Sequence, residues 1–189
     1  MNFRIDVEFQ NKNVLLIDDS IVRGTTLEKS IIKMLNRLEP KKLVIVSSAP
    51  QIRYPDCYGI DMSKMKEFVA FRALLALLKD KNLLHKLDEV YEECQKSVID
   101  NINDVNHVKR LYDMFTDDQI SNKISQIVRG EDIETEVQVI FQSVDNLHKA
   151  CPDHLGDWYF TGNYPTPGGN RVVNKSFIFF MEGKTTRAY

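Results

Sequence analysis

The apolar positions of this chain fall into two regimes. In the first, short apolar runs alternate with helical spacing. Val14-Leu15-Leu16-Ile17 reads as a buried strand, Leu27, Ile31, Met34, Leu35 and Leu38 recur as one face of a helix, and Leu43-Val44-Ile45-Val46 reads as a second buried strand. Strand, helix and strand in that order predict a right-handed crossover in a parallel sheet. Ahead of them Phe3, Ile5, Val7 and Phe9 alternate with Arg4, Asp6 and Glu8, as in a half-buried strand, and Asn11-Lys12-Asn13 supplies a turn.

The second regime begins after Met62. Met65, Phe68, Val69, Leu75 and Leu78 start a helical pattern, and Leu83, Leu84, Leu87, Val90 and Tyr91 continue it. Thr116-Asp117-Asp118-Gln119 is a capping box, followed by Ile120, Ile124, Ile127 and Val128 and stopped by Gly130. Glu134, Val137, Val139, Ile140, Val144 and Leu147 are expected to form another helix. Packing explains these stripes more simply than an assembly surface does. From Pro152 to Gly169 the frequency of Pro and Gly predicts a loop. Trp158, Tyr159, Phe160 and Tyr164 give that loop aromatic weight, and docking on the body is expected rather than a lid over a ligand.

Chemistry concentrates where the first buried strand ends. Asp18 and Asp19 are followed by Ser20-Ile21-Val22-Arg23-Gly24-Thr25-Thr26, and the helix starts there. The first N–H groups of a helix lack intrahelical partners and form a ready anion site. Gly24 permits the backbone angles that turn such groups toward one point, and Thr25 or Thr26 can cap the helix. Two carboxylates repel an anion but suit hydroxyls or a bridging cation beside it. A sugar phosphate meets all these demands, with its phosphate in the loop and its hydroxyls on Asp18 and Asp19.

Composition narrows the setting. The chain has 189 residues, a formal charge of −2 and 43% hydrophobic residues, enough for a core and without a basic surplus for nucleic acid or an anionic membrane. No apolar run reaches membrane-spanning length, and Met1-Asn2-Phe3-Arg4 does not start a signal peptide. Cys57, Cys94 and Cys151 are odd in number and far apart, which predicts reduced thiols in the cytoplasm. His85, His107, His148 and His154 lack zinc-type spacing, so surface or helix-packing roles are expected even where His148, Cys151 and His154 lie close together.

The stretch Val14–Thr26 resembles the phosphoribosyl pyrophosphate motif of type I phosphoribosyltransferases. In the form Asp-Asp-Ser-Ile-Val-Arg-Gly-Thr-Thr it is similar to the amidophosphoribosyltransferase family. Ser47–Met62 resembles the segment after that family's next strand, and Phe160-Thr161-Gly162-Asn163-Tyr164-Pro165 its C-terminal signature. The resemblance implies a partial type I phosphoribosyltransferase core of α/β class with a parallel sheet and a long helical C-terminal extension. Residues 1–62 would be the second half of the core, 63–155 the extension and 156–189 a C-terminal loop and tail. The family's N-terminal glutaminase domain, with its catalytic cysteine, and the first half of the sheet have no counterpart, so a C-terminal portion of a longer enzyme is expected.

Family chemistry implies attack of glutamine-derived ammonia on phosphoribosyl pyrophosphate, giving phosphoribosylamine and pyrophosphate in the first step of purine synthesis. It assigns Asp18 and Asp19 a catalytic role with Mg²⁺ and substrate. Ser20, Ile21, Val22, Arg23, Gly24, Thr25 and Thr26 would bind the phosphate. Purine nucleotides would be inhibitors at the same loop, and the full enzyme a homo-oligomer. Some relatives hold an iron–sulfur cluster, but Gly156-Asp157-Trp158-Tyr159 stands where their Cys-x-x-Cys lies, so none is expected here. A non-catalytic phosphate- or nucleotide-binding module, or an oligomerisation part, is the alternative.

Overall fold

A computed structural model describes residues 8–57, 62–154 and 156–188. Three parallel strands form the sheet, in the order β1-β2-β3: β1 (Asn13–Asp18), β2 (Lys42–Ser47) and β3 (Glu136–Phe141). Leu15 pairs with Val44 and Val44 with Gln138, while Ile17 pairs with Val46 and Val46 with Ile140. The α/β class and the parallel pairing of the first two strands agree with the apolar pattern. The strand expected over Phe3–Phe9 falls largely outside the described residues.

Between β1 and β2 a π-helical turn, Leu27–Ile31, runs into α1 (Ile32–Asn36). Between β2 and β3 come α2 (Val69–Asp80), α3 (His85–Ile99), α4 (Lys109–Tyr112) and α5 (Asp117–Arg129). Thr116 and Gln119 close the expected capping box on α5, and Gly130 ends it. The core lies on one face of the sheet. Leu43, Ile45, Val137 and Val139 pack there with Leu27, Ile32 and Leu35 below the first crossover and with Leu74, Ile124 and Val128 from α2 and α5. Among the described residues no helix is long and apolar enough to cross a membrane.

Two expectations are corrected. The helix expected over Glu134–Leu147 is instead β3 followed by α6 (Val144–Ala150). Val137 and Val139 are buried while Glu136 and Ile140 are exposed, so the period is two, and β-branched side chains favour the pleat. The apolar positions lie on both sides of a break at Ser143, which caps α6 by accepting from Asn146 N, so they belong to two elements of different period. The sheet therefore takes its third strand from within residues 63–155.

Beyond residue 156 the chain is more ordered than a loop and tail. After α7 (Trp158–Thr161), α8 (Pro167–Met181) packs along α3 and buries Val172, Val173 and Phe177. Pro167 and Gly169, which signal a loop in the sequence, sit in the first turn of α8, where a missing N–H is harmless and Thr166 accepts from Gly169 N.

Candidate functional site

The stretch from Asp18 to Thr26 lies at the carboxyl end of β1, the end at which open parallel sheets bind ligands. Cross-strand bonds fix its first residues: Ser48 N donates to Asp18 O at 2.9 Å and Ala49 N to Asp19 O at 3.0 Å. The two carboxylates fold back on the chain. Asp19 N donates to Asp18 Oδ1 at 3.0 Å and Ser20 N to Asp19 Oδ1 at 2.8 Å. Partial burial, followed by hydrogen bonding with Asp19, pushes Asp18 above its ordinary carboxylate range.

The next residues divide by role. Ile21 is buried in the core and Val22 packs against it, so these two anchor the loop with their side chains and can offer a ligand only backbone. Val22 O accepts from Val69 N at 2.8 Å, tying the loop to the start of α2. Arg23 Nε meets Glu67 Oε2 at 2.9 Å, so its charge is shared with a carboxylate. Gly24 has φ +69°, the left-handed conformation anticipated for it. A Cβ there would stand 3.2 Å from both Val128 Cγ1 and Val69 Cγ2. Thr25 and Thr26 are exposed.

Glu28 N donates to Gly24 O at 2.9 Å, the opening bond of the helical ladder, so the N–H groups just ahead of it face the loop. Thr26, one of the two threonines expected as a possible cap, itself has helical torsions and makes no side-chain capping bond. The π-helical turn that follows carries no sequence signal of its own, although such turns recur at functional sites. Glu67 carries no signal in the sequence, and Val69 and Val128 are marked there only as members of helical stripes. They belong to other elements, and only the folded chain brings them to the loop.

Two adjacent carboxylates are a donor set of the kind Mg²⁺ takes, since that ion is usually held by one or two carboxylates together with phosphate oxygens and water. Among the described residues no group of three or more His, Cys, Asp or Glu is placed to hold a metal by itself. His148 Nε2 lies 3.1 Å from Asp157 Oδ2, while Cys151 is exposed.

The other two stretches singled out in the sequence meet each other. Arg53 N and Tyr54 N donate to Tyr159 O at 2.9 and 3.1 Å, and the Tyr159 hydroxyl donates to the buried Asp56 Oδ1 at 2.7 Å. Tyr164 OH donates to Pro55 O. The aromatic loop is docked, as expected. Beside it an open cleft of about 720 Å³ is lined by Gln51, Arg53, Lys109, Asp117, Gln138 and Asn163, among others. None of residues 18–26 lines it. Its polar groups are largely engaged with one another: Gln51 Nε2 donates to Asp117 O at 2.8 Å, Arg53 Nη2 to Gln51 Oε1 at 2.7 Å and Lys109 Nζ to Asn163 Oδ1 at 2.7 Å.

No protein-family model matches the chain. Individual proteins do. It is 54% identical over 67 residues to an amidophosphoribosyltransferase of Haemophilus influenzae, covering 35% of this chain and 13% of that protein. It is 56% identical over 63 residues to one of Escherichia coli, covering 33% and 12%, and 38% identical over 103 residues to one of Lachancea kluyveri, covering 53% and 18%. Among solved structures, a glutamine phosphoribosylpyrophosphate amidotransferase from B. subtilis, complexed with ADP and GMP, superposes with a TM-score of 0.43 at 25% identity, over 84% of this chain and 25% of that one. Over a third to a half of its length the chain is similar to amidophosphoribosyltransferases, and each match spans less than a fifth of the relative.

Proposed function

We propose that this chain is the C-terminal portion of an amidophosphoribosyltransferase and that residues 18–26 hold the sugar phosphate of phosphoribosyl pyrophosphate. The observation that carries this reading is Gly24 at φ +69°, placed between a strand end bearing two carboxylates and a helix start bearing two exposed threonines. Its backbone and those of Val22, Arg23, Thr25 and Thr26 would take the 5′-phosphate through N–H groups, with Ser20, Thr25 and Thr26 adding hydroxyls. Ile21 and Val22 would hold that backbone rigid through the core.

Asp18 and Asp19 would accept the ribose hydroxyls and favour positive charge developing at the ring as pyrophosphate leaves. Mg²⁺ supplies charge neutralisation of the leaving group when bound. Fixing the phosphate at one end and the hydroxyls at the other positions the anomeric carbon for attack by ammonia, so much of this chain's contribution is orientation. The product would be phosphoribosylamine, in purine synthesis. Ammonia from glutamine would have to come from a segment outside this chain. Purine nucleotides would compete at the same loop through their own phosphate, the full enzyme would be a homo-oligomer, and the setting would be cytoplasmic.

The test is a calorimetric titration of the full chain with phosphoribosyl pyrophosphate and Mg²⁺, set beside an Asp18→Asn, Asp19→Asn variant. Binding that the variant weakens supports the reading. Equal binding by both proteins defeats the assignment of the carboxylates. Binding without any turnover when ammonia is added would favour the non-catalytic module.

A further inference from the structure

The loop from Asp18 to Thr26 is held from outside by one short stretch of chain. A 3-10 turn, Met65–Glu67, precedes α2, and both Met65 and Phe68 are buried, so the chain is fixed to the core on either side of Glu67. Glu67, Val69 and Arg72 reach the loop and the helix that follows it. Glu67 Oε2 meets Arg23 Nε at 2.9 Å, Val69 N donates to Val22 O at 2.8 Å, and the two Nη atoms of Arg72 donate to Glu28 Oε2 at 3.3 and 3.2 Å. The backbone bond positions the loop. The two ion pairs also set its charge.

Glu28 stands in the first turn of the helix that the loop opens. Its carboxylate would repel an anion there, and Arg72 offsets that repulsion. Arg23 is the cationic side chain within residues 18–26, and a guanidinium is a strong partner for a phosphate. In this fold Arg23 is already paired with Glu67, whose other oxygen lies 3.7 Å from Lys64 Nζ. The pair is open to a ligand, since Arg23 is 41% and Glu67 32% exposed. Exposed ion pairs contribute little to folding, so this one is cheap to exchange. A phosphate monoester carries nearly two charges near neutral pH and competes well against a carboxylate carrying one.

We infer that Glu67 is a positioning residue of the sugar-phosphate loop. Its carboxylate is a resident counter-anion for Arg23 that an incoming phosphate displaces, and it thereby sets how tightly the loop holds its ligand. This deepens the proposed function and rests on it. Glu67 acts through Arg23 and touches no reacting atom. With Glu67 in place, Arg23 gives its charge to a ligand only in exchange for the existing pair, so the loop favours a phosphate dianion over weaker anions. Lys64, beside the other carboxylate oxygen, moderates the hold of Glu67 on Arg23.

The experiment titrates the full chain with ribose 5-phosphate at low ionic strength, following backbone amide resonances and the heat of binding, for the parent and for Glu67→Gln. Glutamine keeps the length and an acceptor oxygen for Arg23 but removes the charge. Affinity is expected to rise about threefold to tenfold, the effect of removing one like charge from beside a solvated anion. The gain shrinks at high salt. A Glu67 that only braced the loop would give the opposite sign, because its loss would let the loop relax and weaken binding. In an Arg23→Gln background the gain from Glu67→Gln is largely lost, since the two residues act as a pair. Glu92→Gln, at an exposed position of α3, leaves affinity unchanged. Thermal melting confirms that each variant folds. Unchanged or weaker binding by Glu67→Gln, or a gain that persists undiminished with Arg23→Gln, overturns the inference. Loop amides that shift in the parent without a gain in Glu67→Gln defeat the role of Glu67 alone. Loop amides that respond in neither protein defeat the proposed function, and this inference with it.

Discussion

Val69 N donates to Val22 O at 2.8 Å, and the same valine's side chain would lie 3.2 Å from a Cβ on Gly24. One residue at the start of α2 thus fixes the loop's backbone and closes the space beside its glycine. The loop is shaped from outside as well as by its own sequence, which gives its substitutions separable consequences.

Gly24→Ala is expected to lower stability by about 1–2 kcal/mol, the cost of a left-handed conformation for a residue with a Cβ. The contacts with Val69 and Val128 add to that, and Gly24→Val is worse because a branched side chain resists positive φ still more. Urea denaturation measures the loss. A variant as stable as the parent would show that the loop relaxes without cost.

Asp18→Asn should raise the melting temperature at about pH 7 and leave it unchanged near pH 3. The folded protein holds Asp18 above its ordinary value, so the fold disfavours the ionised form. That penalty is fully present above the raised value and fades as pH falls through it, until both folded and unfolded chains are protonated. Under the proposed function the same variant loses about tenfold or more in affinity for phosphoribosyl pyrophosphate, since a hydrogen bond to a charged group contributes about 1.5–3 kcal/mol. Gain of stability with loss of binding separates a ligand-holding carboxylate from a solvated turn. Melting curves across pH, paired with calorimetry, measure both.

Tyr159→Phe is expected to cost about 1–3 kcal/mol, because it withdraws a donor from a buried carboxylate. Asp56 is fully buried and accepts from the Tyr159 hydroxyl at 2.7 Å, and burial together with that bond pushes the tyrosine up to about 12. Denaturant titration gives the change, and Asp56→Asn, which keeps the acceptor without the charge, should cost less.

Gly169→Ala should loosen the C-terminal aromatic loop, since a Cβ would come within 2.4 Å of the buried Tyr164 ring. Faster hydrogen exchange at Arg53 and Tyr54, whose amides donate to Tyr159 O, is the expected signature.

How far the sequence carries depends on whether a signal is local. The strand–loop–helix at Val14–Leu35 and the capped helix from Thr116 to Gly130 are each written in one continuous stretch, and both are found in the fold. β3 was hidden because its short period-two run abuts apolar positions of the next helix, so two periods overlap in a single window. α8 was hidden because Pro167 and Gly169 are breakers in a helix interior but are tolerated in its first turn. At the loop, the types of residue that could meet a sugar phosphate were legible. The division between side chains that anchor, Ile21 and Val22, and those left exposed, Thr25 and Thr26, was not, because it depends on α2 and α5.

The most direct test of the sugar-phosphate assignment is a residue-resolved NMR titration of the full chain with ribose 5-phosphate, following backbone amide resonances. The account predicts that the largest shifts fall on Val22, Arg23, Gly24, Thr25 and Thr26 and saturate with increasing ligand. Shifts confined to the cleft around Arg53, Lys109 and Gln138, or none at the loop at saturating ligand, would contradict it.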